Sequence, residues 1–418
     1  MVIYNYVTKV KGRVALTILP MREYNRRFDW IVEEMKYEDE ISSLNLPSNL
    51  RKVYRHKARL MHWTIELLTN SKHVYTLWRE NWWEAENSSI PDAWVVALVG
   101  VQHPDDLQKM SLDSPDPKTF YCRESKVYMI INSEYYGQAK SQACLGLTAE
   151  LAEEEGGNIL PIHGGCVKVF DKGIILIAPT GTGKTTHTYA LALWGKPGET
   201  AIHSDDWVFV DLKTYKVYPS ERKFYLRTNI VDAFPEFTDK ILNSLLENAD
   251  PSDLAKDMVA RCVIDPVEML GEDRVVREVA ADAVWLFKRD YWDPHVVVKL
   301  SPTKAIEVLE DGRVYRYAYK RRNASGVPAL IEKINEPYYN PYLIDLSEAK
   351  QPIRRMMYFK LFKKAQPYWV NTRLSIDQMQ RILRKLALGE IDKAVVEGEE
   401  VILYKDKSVV GREVAEPA

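Results

Sequence analysis

The chain has no run of the roughly 18 uninterrupted apolar residues that a membrane helix needs, so no spanning helix is expected. Its opening segment, Met1-Val-Ile-Tyr-Asn-Tyr, carries no basic region followed by an apolar stretch, and no secretory signal is expected there. Cysteine is scarce. Cys122, Cys144, Cys166 and Cys262 lie far apart and form no C-x-x-C pair, which argues against a disulfide framework or a zinc ribbon and suits a reducing cytosol. Neither sign of charge dominates: 57 Lys and Arg against 59 Asp and Glu leave a net charge of -2, which argues against a protein that blankets nucleic acid. The 11 Trp and 24 Tyr show no alternation with basic residues of the kind that builds a nucleic-acid platform. Repeats and low-complexity stretches are also lacking. These absences predict a soluble cytoplasmic protein with no nucleic-acid partner and no membrane partner.

What is present is a long chain able to bury a core. Its 418 residues, 46% of them hydrophobic, suit two globular units or one unit with an added lobe. Residues 1–20 read as two short strands around Lys11-Gly12, and 21–37 and 50–70 as helices with apolar spacings of three and four. A tryptophan cluster (Trp78, Trp82, Trp83, Trp94) is expected in the core of this first part, ahead of strands at Trp94–Val99 and Val127–Ile131 and a helix over 137–155. Gly156-Gly157 marks the expected boundary of an N-terminal α+β lobe. Beyond it come strands at Cys166–Phe170 and Ile174–Ala178 joined by a tight turn, which predicts a mixed sheet. A helix at Lys184–Trp194 and strands at Thr200–His203, Trp207–Asp211, Val217–Tyr218, Ala283–Phe287 and Val296–Leu300 follow, with helices at 238–259 and 374–388 and a hairpin at 392–406. The last eight residues read as loose. The expected divisions are 1–156, 157–350 for the core, and 351–418 for a C-terminal extension.

The richest segment is Ile174-Ile-Leu-Ile-Ala178-Pro-Thr180-Gly181-Thr182-Gly183-Lys184-Thr185-Thr186, an apolar strand entering a glycine-bearing loop that opens a helix. Gly181 and Gly183 permit backbone dihedrals that aim successive N–H groups at phosphate oxygens, and the helix start adds unpaired N–H groups and a positive dipole end. Lys184 can reach the β- and γ-phosphates, and the Thr185 hydroxyl can ligate Mg²⁺ or Mn²⁺. Ala178 stands where the usual motif has its first glycine. Thr180 through Thr186 are therefore the expected contacts of ATP or ADP. A glycine-rich turn without chemistry is the bland alternative, and the strand before and helix after the loop argue against it.

About twenty residues to either side of the lysine lie His163-Gly-Gly and Ser204-Asp205-Asp206. A nucleotide enzyme needs an acidic group for the metal and a base for an incoming hydroxyl, and adjacent carboxylates can divide those roles. Which of Asp205 and Asp206 is the base and which the metal ligand is open, and His163 could orient one of them or complete the metal shell. A plain turn and a structural histidine are the competing readings. Val284-Trp-Leu-Phe-Lys-Arg-Asp290 is a rival acidic strand end, and Arg289 within it is a candidate phosphate contact, with an exposed charged turn as the equal alternative. His187 reads as a helix-surface or packing residue. The basic stretches Ile353–Lys364 and Tyr319–Arg322 read as a partly buried element and a loop.

In this order the pieces resemble the HPr kinase/phosphorylase and phosphoenolpyruvate carboxykinase superfamily over about residues 155–300. The resemblance is carried by His163-Gly-Gly-Cys-Val-Lys-Val, Ala178–Thr186 and Ser204-Asp205-Asp206. It implies an α/β, mixed-sheet P-loop kinase core with an added N-terminal α+β lobe. It also implies Asp205, Asp206, His163 and Lys184 as catalytic residues, and Thr185 with the aspartates as metal ligands. Carboxykinases follow their aspartates with Glu-His, where this chain has Trp207-Val208, and the downstream arginine-glycine stretch of HPr kinases is not found. The expected activity is phosphoryl transfer to a hydroxyl of a small metabolite, for example a free hydroxy amino acid such as serine. A pyrophosphate-linked carboxykinase or phosphorylase reaction, a protein-serine kinase of the HPr kinase type and a non-catalytic nucleotide sensor are the alternatives. A homo-oligomer is compatible with all of them.

Overall fold

A computed structural model describes residues 16–101, 118–248, 261–322 and 328–417. The expected strand pair around Lys11-Gly12 and the end of the 238–259 helix fall outside them; the described part of that helix is Thr238–Asn248. The chain is mixed α/β and divides into two compact units. One comprises 1–151, 221–265 and 342–346, the other 152–220, 266–341 and 347–418. Each unit is discontinuous in sequence, unlike the three consecutive segments read from glycine and composition signals.

The first unit carries a seven-stranded sheet in the order Leu16–Leu19, Lys118–Cys122, Val127–Ile131, Ala93–Leu98, Trp63–Thr69, Tyr54–Leu60, Trp83–Glu84. Val96, Leu98, Met129 and Ile131 from its central strands bury against Phe28, Ile31, Val32 and Met35 of the helices that follow the first strand. Residues 50–70 are not helical: Tyr54–Leu60 and Trp63–Thr69 form an antiparallel hairpin in full register. Short apolar runs fit both periods, and the turn at Met61 adopts φ 58 without a glycine or asparagine to announce it. The expected helix over 137–155 forms, with a π-helical stretch at Ala139–Leu145. Of the predicted tryptophan cluster, Trp78 and Trp82 are fully buried, while Trp83 and Trp94 are half-buried.

The second unit is built on an eleven-stranded mixed sheet. Its strands and helices are β1 (Ile159–Val169), β2 (Lys172–Ile177), α1 (Lys184–Trp194), β3 (Thr200–Ser204), β4 (Trp207–Asp211), β5 (Lys216–Pro219), β6 (Val279–Lys288), β7 (His295–Lys299), α2 (Pro302–Asp311), α3 (Gln351–Lys364), β8 (Gln366–Asn371), α4 (Ile376–Leu388), β9 (Lys393–Glu397), β10 (Glu400–Lys405) and β11 (Ser408–Val414). β1 and β2 form the expected antiparallel hairpin, and β2 pairs in parallel with β6. The pairings β1–β4, β4–β5, β5–β6, β6–β2 and β2–β1 close a ring. The long strand β1 has two successive partners on its other edge, β4 along Ile159–His163 and β3 along Cys166–Val169. The chain therefore crosses from β3 to β4 opposite the middle of β1, and Asp205 and Asp206 lie on that crossing.

Two expectations about this unit fail. Tyr319–Arg322 closes a ten-residue strand, Arg313–Arg322, paired with Pro328–Asn335. Its charge reads as a solvated loop by composition, but valine and tyrosine are also strand formers. The C-terminal residues are not loose up to Val414, because β11 adds to the edge of the sheet beside β10. The segment 353–364 lies within α3, and Arg354 is buried there by a bidentate pairing with Glu153, at 2.6 and 3.2 Å.

Candidate functional site

The glycine loop leaves β2 at Ala178 and enters α1 at Lys184. Gly181 and Gly183 adopt φ 86 and 95, left-handed values that an L side chain resists. The Thr182 hydroxyl donates to the Pro179 carbonyl at 2.8 Å and tightens the bend. Lys184 is the first residue of α1, so its side chain starts beside the helix N-terminus. Thr185 and Thr186 are half-buried on the same first turn, while Thr180 and Gly181 are exposed at the loop tip.

From there the Lys184 ammonium reaches the crossing between β3 and β4. Its Nζ lies 2.6 Å from Asp206 Oδ1 and 3.0 Å from the Asp205 carbonyl. The crossing is shaped by a register shift in β3 between Ile202 and Ser204. It is held by the Trp207 carbonyl, which accepts from the hydroxyls of Ser204 and Ser220. Asp205 is buried, whereas the Asp206 side chain keeps 27% of its surface exposed and is the carboxylate a small molecule can reach.

His163 faces the same carboxylate from β1, its Nε2 3.5 Å from Asp206 Oδ1. Its Nδ1 sits 2.8 Å from the Tyr339 carbonyl. A carbonyl only accepts, so Nδ1 carries the proton and Nε2 is the nitrogen left to exchange one at Asp206. The carbonyl is delivered by a bend in which Tyr338 and Tyr339 adopt φ 59 and 49, unfavourable for aromatic residues. Stacking of Tyr338 on Tyr358, with centroids 5.1 Å apart, helps hold it. The glycines after His163 have a steric reason. A Cβ on Gly165 would stand 2.7 Å from Thr188 Oγ1 of α1 and 3.0 Å from the Asp205 carbonyl, so only glycine lets the helix and the crossing close on β1.

Arg289 joins the site from the end of β6. Its Nη1 donates to the Gly181 carbonyl at 3.1 Å, and its Nε to the Thr372 carbonyl at 3.1 Å. The rival aspartate, Asp290, is engaged within its own loop, where its carboxylate accepts from the Trp292 amide at 3.0 Å. His187 is a packing residue, buried edge-on against Phe287 and paired through Nδ1 with Gln380 Nε2 at 2.6 Å. Burial, reinforced by the nearby Arg289 guanidinium, lowers its pKa to about 3, so it adds no charge beside the loop.

The structure thus brings His163, Lys184, Asp205, Asp206 and the glycine loop together, with Arg289 bonded to the loop. Reasoning from sequence missed Tyr339, which acts through a backbone carbonyl, and Thr372, which no motif marks. Among the described residues no three His, Cys, Asp or Glu side chains form a ready-made metal cage. Thr185, Asp205 and Asp206 are hard oxygen donors that suit Mg²⁺ or Mn²⁺, ions that retain water and phosphate ligands. No helix of the described residues is long and apolar enough to cross a membrane. No family model matches the chain, and no curated protein matches it.

Proposed function

We propose that this chain is a kinase of the HPr kinase/carboxykinase type. In this reading it transfers a phosphoryl group from ATP or ADP, with Mg²⁺, to a hydroxyl of a small metabolite, a free hydroxy amino acid such as serine being the first to test. The observation that carries the reading is the convergence of Lys184, which closes a left-handed glycine loop, and His163 on the partly exposed carboxylate of Asp206.

The chemistry divides among the residues as follows. The loop amides and the start of α1 bind the phosphates, and Lys184 bridges them to the aspartate pair. Bound Mg²⁺ supplies charge neutralisation across the phosphates, and Thr185 with a carboxylate of the pair would hold it. Asp206 accepts the proton of the acceptor hydroxyl. The hydroxyl oxygen bonds to phosphorus as the bond from phosphorus to the nucleotide oxygen breaks, and the nucleotide leaves one phosphate shorter. His163, fixed by Tyr339, orients Asp206 through Nε2.

The test incubates wild type and Lys184→Ala with Mg²⁺ and terminally labelled ATP or ADP over a panel of hydroxylated metabolites. Label entering one acceptor with wild type alone supports the reading. Nucleotide binding without transfer to any acceptor would favour a sensor, and pyrophosphate acting as donor would favour the phosphorylase-type alternative.

A further inference from the structure

Thr372 follows β8, 190 residues beyond Thr182 in sequence, and its hydroxyl lies 2.8 Å from the Thr182 carbonyl. The same oxygen is 3.1 Å from the Lys288 carbonyl and accepts from Arg289 Nε at 3.2 Å. A hydroxyl has one proton to give. The Lys288 carbonyl already accepts from the Thr372 amide at 2.8 Å, so the proton goes to the shorter contact, Thr182. Thr372 is fully buried, which shields that bond from competing water.

The consequence follows from peptide geometry. In a trans peptide the C=O of one residue and the N–H of the next point to opposite sides. With the Thr182 carbonyl held toward Thr372, the Gly183 N–H is turned to the opposite side of the loop. Arg289 holds the preceding Gly181 carbonyl in the same manner, and its guanidinium is itself braced on Thr372. One threonine thus fastens two successive carbonyls, one directly and one through Arg289.

We infer that Thr372 is the positioning residue that sets the phosphate-gripping conformation of the glycine loop, acting on nucleotide affinity without touching the nucleotide. This rests on the kinase reading and adds to it a determinant that the loop sequence does not contain. Without the hydroxyl the Thr182 carbonyl loses its buried donor, and the Thr182–Gly183 peptide is free to rotate its N–H off the phosphate side.

The experiment compares Thr372→Val, which keeps the shape and removes the hydroxyl, with Thr372→Ser, which keeps the hydroxyl. Binding of a fluorescent ATP or ADP analogue with Mg²⁺ is titrated alongside thermal unfolding without nucleotide. Expected is nucleotide affinity about tenfold weaker in the valine variant and within about twofold of wild type in the serine variant. Wherever turnover is measurable, KM for nucleotide rises while kcat at saturating nucleotide holds. A valine variant that unfolds earlier yet binds nucleotide like wild type overturns the inference and leaves the kinase reading standing. Wild type that binds no nucleotide overturns both.

Discussion

The ammonium of Lys184 lies 2.6 Å from Oδ1 of Asp206, joining the first residue of α1 to the crossing after β3 in a largely buried ion pair. In the proposed reading this contact ties the phosphate-binding loop to the acid–base pair.

Replacing Lys184 with Ala removes the cation between phosphates and carboxylate. Phosphoryl transfer should fall by about a hundredfold or more, with weakened nucleotide binding. Asp206→Asn keeps the shape but removes the proton acceptor, so kcat should fall by a similar factor while nucleotide affinity changes by only a few fold. Steady-state kinetics and direct titration separate the two. Full activity in Asp206→Asn would remove that residue from the base role.

Gly183→Ala should abolish nucleotide binding. The backbone there adopts φ 95, and an added Cβ would stand 3.1 Å from His187 Cδ2 and 3.2 Å from Arg289 Nη2. The loop must give up either its left-handed turn or its packing. Nucleotide titration of the folded variant, its circular dichroism matched to wild type, checks this.

In the first unit, Lys140 and Glu221 form a fully buried ion pair at 2.7 Å, and Asn81 donates to the same carboxylate oxygen at 3.0 Å. Glu221→Gln leaves a buried ammonium with a weakened partner and should cost about 3–5 kcal/mol. The double change Lys140→Met, Glu221→Leu should recover most of that loss, because neither charge is then buried. Urea midpoints of wild type, Lys140→Met, Glu221→Leu and the double variant give the coupling. Strictly additive losses would show that the pair is not coupled.

Stability should fall as the solution is acidified below neutrality. Burial holds the pKa of His203 down to about 4 and that of His187 to about 3, against an ordinary value near 6.5. Below pH about 6.5 the unfolded chain takes up protons that the folded chain refuses, so each site destabilises the fold by up to about 1.4 kcal/mol per pH unit until its folded pKa is reached. Above pH about 6.5 both states are neutral and neither histidine contributes a slope. Unfolding free energy measured between pH 7 and pH 4.5 should show this fall, and His203→Asn should remove about half of the share due to these two histidines.

Much of the second unit was legible because its signals are local. The β1–β2 hairpin, the strand into the glycine loop and the helix opening at Lys184 follow from short-range periodicity and from glycines needed at left-handed positions. The pairing of Tyr54–Leu60 with Trp63–Thr69 was not legible, since their apolar spacings fit helix and strand alike and the turn at Met61 carries no signature residue. The units themselves were also hidden: 221–265 and 342–346 belong with the first by packing, which composition along the chain does not register.

The sequence by itself determined the chemistry available to this protein: a loop that can bend, a lysine behind it, two adjacent carboxylates and a histidine. Only the tertiary structure decided how these groups meet. Asp206, not Asp205, is the more accessible carboxylate, on the crossing that forms because β3 and β4 share one partner strand. The Tyr339 carbonyl fixes the His163 tautomer from 176 residues away, and the Thr372 hydroxyl sets the loop from 190 residues away. Contacts of that separation depend on strand register and sheet closure across the whole unit, and no local pattern encodes them.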